Sequence, residues 1–217
     1  MIVSTAAVPK TKKAQATRRR LIEAAEVIFA KKGYFDASIA DITRRAKTAM
    51  GTFYIYFPSK QAIFHELVSY LSHRLRQKLH EVTKDLSNRV EAEEVGFRTY
   101  FEFLTEHPSL YSIVLQSEHV DPEAFHAYYE DLASPYVRGL KDAMRKGEIK
   151  DLDAESLAYC LMGLAHIMGM RWILWERKPI GKRQWDALWV LVSSGIFAQR
   201  SSDHAKNPIA EISAPGI

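Results

Sequence analysis

The sequence of 217 residues holds a single cysteine, Cys160. One thiol excludes an intramolecular disulfide, and no Cys/His cluster has zinc-ligand spacing, so no cross-link or metal is expected to hold the fold. Such a chain suits the reducing interior of a cell, and a cytoplasmic location is the expectation. Glycine and proline are few, at 10 and 8 residues, and they fall between long stretches of helical periodicity. Few segments alternate apolar and polar residues with a period of two, which argues against sheet. Signs of catalysis are missing as well: there is no Gly-x-Ser-x-Gly, no His-Glu-x-x-His and no phosphate-binding glycine loop. An enzyme is therefore disfavoured, and no catalytic residue or cofactor is expected. Residues 1–10 lack a charged region followed by a sustained apolar core, so no signal peptide is expected. The uncharged apolar run from Leu157 to Met170 is shorter than the roughly 20 residues a bilayer requires, so no membrane span is expected.

Hydrophobic residues make up 47% of the chain, enough to bury a substantial core. Their spacing predicts an all-α protein of about nine helices. The first spans about 17–32, with Leu21, Ala25, Ile28 and Phe29 inward and Gly33 ending it. A long helix follows over about 59–82, with Phe64, Leu67, Leu71, Leu75 and Leu79 on one stripe. Further helices are predicted at 90–106, 108–117, 122–146, 153–177 and 182–199. Residues 1–13 read as a flexible basic arm that either touches DNA or has no role, and 201–217 as a disordered tail. Charge is uneven: residues 1–60 hold 12 Lys and Arg against 4 Asp and Glu, a balance of +8, whereas residues 61–217 hold 18 against 22, a balance of −4. A basic end joined to a mildly acidic remainder is the footprint of a nucleic-acid-binding domain attached to something with another task.

Within the basic end, Ser38 and Asp41 have the spacing of a capping box that starts a helix near Ile39. Ile39, Ile42 and Ala46 share one face, and Arg44 and Arg45 lie towards its rim. A second short helix begins at Ala49 or Met50 and stops before Pro58. Its length of roughly 12 Å is comparable to the width of a DNA major groove. Phe53 and Phe57 anchor one side. Opposite them Gly51 permits close approach, Thr52 and Tyr54 offer hydroxyls to phosphates, and Met50 and Ile55 are placed to meet base edges. Ser38, Lys47, Thr48 and Tyr56 complete the expected DNA contacts. Ser59 and Lys60 open the next helix, whose amides and ammonium form an anion site for a phosphate.

From Thr17 to about Leu71 the chain resembles the DNA-binding domain of the tetracycline-repressor (TetR) family. The likeness rests on Lys32-Gly33-Tyr34, Ser38-Ile-Ala-Asp-Ile42 and Gly51-Thr-Phe-Tyr-Ile-Tyr-Phe-Pro-Ser-Lys60. It departs at Lys47, where the family commonly has glycine in the turn, and at Ala49, where it often has Ser or Thr. A left-handed lysine costs roughly 1 kcal/mol, and a lost cap about the same. Thr48 is therefore expected to cap instead, shifting the turn by one residue.

The resemblance implies a helix-turn-helix domain at residues 14–60 and a larger helical ligand-binding and dimerisation domain at 61–200. It implies a ligand-responsive regulator, most often a repressor, that binds a near-palindromic double-stranded DNA operator as a homodimer and is released by a small effector. The alternatives are an architectural DNA-binding protein without an effector and, less favoured, an enzyme. The stretch from Leu157 to Trp175 is apolar around nearly its whole circumference, so it should be buried on all sides, against the core and against a second subunit. The last two long helices, 153–177 and 182–199, are the expected dimer seam. Candidate ligand contacts are Phe103, Tyr111, Phe125, Tyr128, Met162, His166, Met170 and Trp172, each of which also fits as ordinary core. An apolar or aromatic effector would suit them, a fatty acyl thioester among the possibilities.

Overall fold

The structure, a computed structural model, describes residues 11–197; the expected tail at 201–217 and positions 1–10 of the expected arm lie outside them. Among the described residues the chain is helical and holds no strand, only an isolated bridge between Ile149 and Phe197. Helix α1 spans Lys12–Asp36, α2 Ile39–Ala46, α3 Met50–Tyr56 and α4 Lys60–Thr83. Then come α5 (Arg89–Glu106), α6 (Ser109–Val120), α7 (Pro122–Arg145), α8 (Ala154–Gly169) and α9 (Lys182–Ile196). An all-α chain with an N-terminal helix-turn-helix unit and a larger helical remainder is what the periodicity predicts.

Side-chain caps set many of the starts. Thr11 accepts the amide of Ala14 at 3.2 Å, so α1 begins five residues before the predicted Thr17, and Lys12 and Lys13 belong to a helix rather than to an arm. Asp121 caps α7 through the amide of Ala124, with Pro122 in the first turn, where its missing N–H costs nothing. That stop lies beyond the predicted end of α6 at residue 117, and α6 runs on to Val120. Asn88 and Asp153 cap α5 and α8 in the same manner.

Helix α1 packs on α2, α4 and α6, while α4 also packs on α5 and α7. Buried apolar residues form one connected core from Leu21 to Ile196. The predicted stripe of α4 is its inner face: Phe64, Leu67, Leu71 and Leu75 are fully buried and Leu79 partly so.

One expectation about the last helices needs correction. The segment predicted as one α-helix over 153–177 changes at Met170 to a π-helix, Met170–Trp175, which resets the phase of every later side chain. In a single chain it is buried on one face only, the other being the face expected to meet a second subunit. Leu157, Ala158, Leu161, Ala165, Gly169 and Ile173 face the core, whereas Tyr159, Ile167 and Trp175 are exposed. Ala154–Trp175 is nonetheless long and apolar enough, by length and composition, to cross a membrane. Its inward face packs on α5 and α7, as a core helix does.

The junction of α8 with the π-helix depends on one glycine. A Cβ at Gly169 would overlap the hydroxyl of Tyr111 and come within 3.0 Å of Leu104 Cδ1. Gly169→Ala should therefore overpack the core and cost roughly 1–3 kcal/mol. Urea unfolding measures this, and unchanged stability would show that α6 does not press on the junction.

Candidate DNA-reading surface and ligand cavity

Helix α2 starts with the predicted capping box. The hydroxyl of Ser38 accepts the Asp41 amide at 3.1 Å, and the Asp41 carboxylate accepts the Ser38 amide at 3.2 Å. Lys32 reaches the same carboxylate at 2.8 Å. Its hydrogen bond and those from Ser38 hold the Asp41 carboxyl well below the usual range. Ser38 and Lys32 are thus committed to helix structure as well as lying on the basic surface.

The turn between α2 and α3 keeps the family register, contrary to the expected shift. Lys47 takes the left-handed conformation (φ 51°, ψ 50°). Its amide bonds to Arg44 O at 3.3 Å and that of Thr48 to Thr43 O at 3.0 Å, the paired bonds of a Schellman turn. Those two bonds offset the strain of the lysine. Thr48 does not cap α3: its hydroxyl is buried without a partner, and the N-cap is Ala49, which supplies no side-chain bond.

Helix α3 presents the predicted faces. Phe53 and Phe57 are fully buried with ring centroids 5.8 Å apart, and the Arg18 guanidinium lies 5.3 Å from the Phe57 ring. Met50, Gly51, Tyr54 and Ile55 are exposed, with Ile55 at 68%, while Thr52 and Tyr56 are half-buried. No side chain lies within 4 Å of the position a Cβ would take at Gly51, so that edge is open to a partner.

Lys60 departs from its expected role. Its ammonium donates to the carbonyls of Tyr34 at 2.8 Å, Ala37 at 2.9 Å and Phe35 at 3.2 Å, and sits 4.4 Å from the Tyr34 ring. All three N–H groups are used inside the protein. The first turn of α4 is entered through Ser59, whose hydroxyl accepts the Ala62 amide.

A second site lies in the larger helical part. An open cavity of about 850 Å³ is lined by α4, α5, α7 and α8. Of the eight expected ligand contacts, Tyr128, Met162 and His166 line it; Phe103, Tyr111, Phe125, Met170 and Trp172 do not. Met170 and Trp172 lie in the π-helix, where helical phasing no longer applies. Tyr111 stands one layer back, donating its hydroxyl to the His166 carbonyl at 2.8 Å. Phe103 stacks on His107 at 4.6 Å, and Phe125 packs edge-on against Tyr129 at 5.0 Å.

Sequence reasoning missed Phe97, Tyr100, Tyr129, Leu132, Tyr136 and Leu161 on the cavity wall. The signal was present in the spacing: Glu93, Phe97 and Tyr100 share a face of α5, and Tyr128, Leu132 and Tyr136 share a face of α7. Glu93 is 3% exposed and carries a closed polar network. Arg89 Nε donates to it at 2.7 Å and the Tyr136 hydroxyl at 2.6 Å. Gly139 makes the room, since a Cβ there would lie 2.7 Å from Arg89 Nη1. Arg76, Asp131 and Arg138 also line the cavity; deeper in, burial lowers the pKa of His166 and pushes those of Tyr100 and Tyr128 well up, which favours the neutral form of each. Among the described residues no group of three His, Cys, Asp or Glu could hold a metal ion.

Lys60→Met should cost on the order of 2–3 kcal/mol of stability, because three carbonyls lose a charged donor. Denaturant unfolding in the absence of DNA measures this. Full stability with weakened DNA binding would return Lys60 to the role of a phosphate contact.

Residues 21–67 match the family described as "Bacterial regulatory proteins, tetR family". The chain is 33% identical over 156 residues to the uncharacterized HTH-type transcriptional regulator YdgC of Bacillus subtilis, covering 68% of this chain and 76% of that one. In fold it is similar to the transcriptional regulator FadR of Bacillus subtilis, whose crystal structure is in complex with stearoyl-CoA: the TM-score is 0.74 at 20% identity, over 82% of this chain and 98% of that one. Salmonella enterica GusR gives 0.74 at 21% identity, over 86% and 98%. With a capped helix-turn-helix, a recognition helix exposing Met50, Tyr54 and Ile55, and this kinship, the protein belongs to the TetR family of DNA-binding transcriptional regulators.

Proposed function

We propose that the protein is a cytoplasmic, ligand-responsive repressor that binds a near-palindromic operator as a homodimer and is released by a small, largely apolar effector. The observation that carries this reading is the cavity of about 850 Å³ built against α4, the same helix whose first turn closes the DNA-reading unit. Residues 14–60 read DNA in this proposal, and 61–200 bind effector and partner.

Apolar side chains left uncovered support the dimer. Tyr159, Ile167 and Trp175 on the α8 segment and Val190 and Leu191 on α9 are 42–64% exposed. A second copy related by a two-fold axis would cover them and set two α3 helices on successive major grooves, about 34 Å apart. Ile167→Lys combined with Leu191→Lys should give a monomer by light scattering, with operator affinity reduced at least tenfold because one α3 offers too few contacts. A dimer that persists would move the interface elsewhere.

The effector acts by population shift, favouring an arrangement in which the two α3 helices no longer match the grooves. Helix α6 is the route the contacts support. At one end Tyr111 holds the His166 carbonyl behind the cavity wall. Elsewhere on α6, Gln116 accepts the Tyr34 amide at 2.6 Å, and Ser109 donates to Glu26 at 2.6 Å. The likeness to FadR in complex with stearoyl-CoA supports a fatty acyl group as the apolar part.

Selection from random duplexes should yield a short inverted repeat, and sequence-independent coverage would sink the proposal. Gln116→Ala should leave operator affinity in the absence of effector within about threefold while weakening release, since it removes one hydrogen bond of about 1 kcal/mol between α6 and the DNA-reading unit. Release at the unaltered effector concentration would exclude α6 as the route.

A further inference from the structure

We infer that the cavity takes an amphiphile with an anionic head, and that His73, His80 and Arg138 at its mouth read that head. This deepens the proposed effector site and rests on it. The mouth is identified by exposure. Of the residues lining the cavity, those open to solvent are His73, Gln77 and His80 on α4 and Ser134, Pro135 and Arg138 on α7. Each set follows helical spacing along one face, so the two faces form the lips of a single opening between α4 and α7. Behind them lie Phe97, Leu132, Leu161, Met162 and Ala165, which offer an apolar chain nothing to hydrogen-bond.

Charge bookkeeping around this opening leaves a surplus of one sign. Two carboxylates line the cavity, and both are satisfied internally: Asp131 pairs with Arg76 at 3.0 Å, and Glu93 is held by Arg89 and Tyr136. His73, His80 and Arg138 have no ion pair or side-chain hydrogen bond among the described residues, and they stand on both lips. Arg138 is the fixed charge, with a planar fork suited to carboxylate or phosphate. The two imidazoles on the facing helix add donors about two turns apart along that lip. A neutral or cationic head would leave these donors unmet or face repulsion. An anionic head meets both lips at once, and its tail enters the apolar interior.

The test uses four probes that share one tail, each below its micelle concentration: dodecanoate, dodecyl phosphate, dodecanol and dodecylammonium. Calorimetric titration of the full chain should show both anions binding roughly tenfold or more tightly than dodecanol, as hydrogen bonds to a charged group imply, and dodecylammonium binding worst. The tighter of the two anions identifies the head as carboxylate or phosphate. In the variant combining His73→Gln, His80→Gln and Arg138→Gln, the preference for anions should fall to about twofold or less while dodecanol affinity holds, since the apolar wall is untouched. These side chains are exposed, and an unchanged thermal midpoint confirms that the variant folds. Equal affinity for dodecanol and dodecanoate in the parent protein overturns the head-group inference and leaves the apolar cavity standing. Anion preference surviving in the variant overturns the assignment to these three residues. Failure of every probe to bind overturns the apolar-effector reading itself.

Discussion

The end of α1 leaves backbone groups that its own helix cannot satisfy, and much of the architecture follows from how that is remedied. Gly33 kinks α1 at φ 76°, and the last carbonyls of the helix, like those at any helix C-terminus, have no partner within it. The carbonyls of Tyr34, Phe35 and Ala37 are met by the ammonium of Lys60 from α4. The amide of Tyr34 is met by Gln116 from α6. One turn therefore draws two distant helices onto the DNA-reading unit. Lys60 adds a polar clamp to the apolar packing of α4 on α1, and without Gln116 an amide would be left unpaired. The same turn orients Ser38, whose capping box sets the direction of α2.

This arrangement divides the work between strong and weak links. Lys60 contributes charged hydrogen bonds and a cation resting on an aromatic ring, which bind α4 tightly to α1. Farther along, α4 becomes a wall of the cavity through His73, Arg76 and Leu79. The opposite wall is held by a buried carboxylate, Glu93, that would be ruinous unpaired and is instead fully engaged by Arg89 and Tyr136.

Much of this was legible in the sequence, and the failures have identifiable causes. The capping box of α2, the anchoring phenylalanines of α3 and the inner stripe of α4 all depend on spacing along one helix, which a sequence displays directly. The contacts of Lys60 were not legible because its partners lie elsewhere: the carbonyls that hold it are 23–26 residues away. No local pattern announces that a lysine beside a helix N-terminus will turn back to an earlier turn. The cavity was half seen. His166 stood out as an imidazole in an apolar helix, whereas Tyr100 and Tyr136 looked like common helix residues until four helices converged on them. Met170 and Trp172 were lost to the π-helix, which is invisible to a reading based on a period of 3.6.

On the proposed mechanism, the unequal strength of the links determines what can move. The apolar core is continuous from Leu21 to Ile196, so no rearrangement can separate the two parts without exposing it. A shift must be a sliding of packed faces, with polar links exchanged along the way. Those joining α6 to α1 are one neutral bond, Tyr34 to Gln116, and one to a carboxylate, Ser109 to Glu26. Together they are worth on the order of 2–4 kcal/mol. An effector's coupling energy is typically about 1–3 kcal/mol, enough to trade these links but not to break the Lys60 clamp and the buried phenylalanines as well. The DNA-reading unit should then travel as a rigid body with α4, and regulation changes where α3 points while leaving its recognition surface intact.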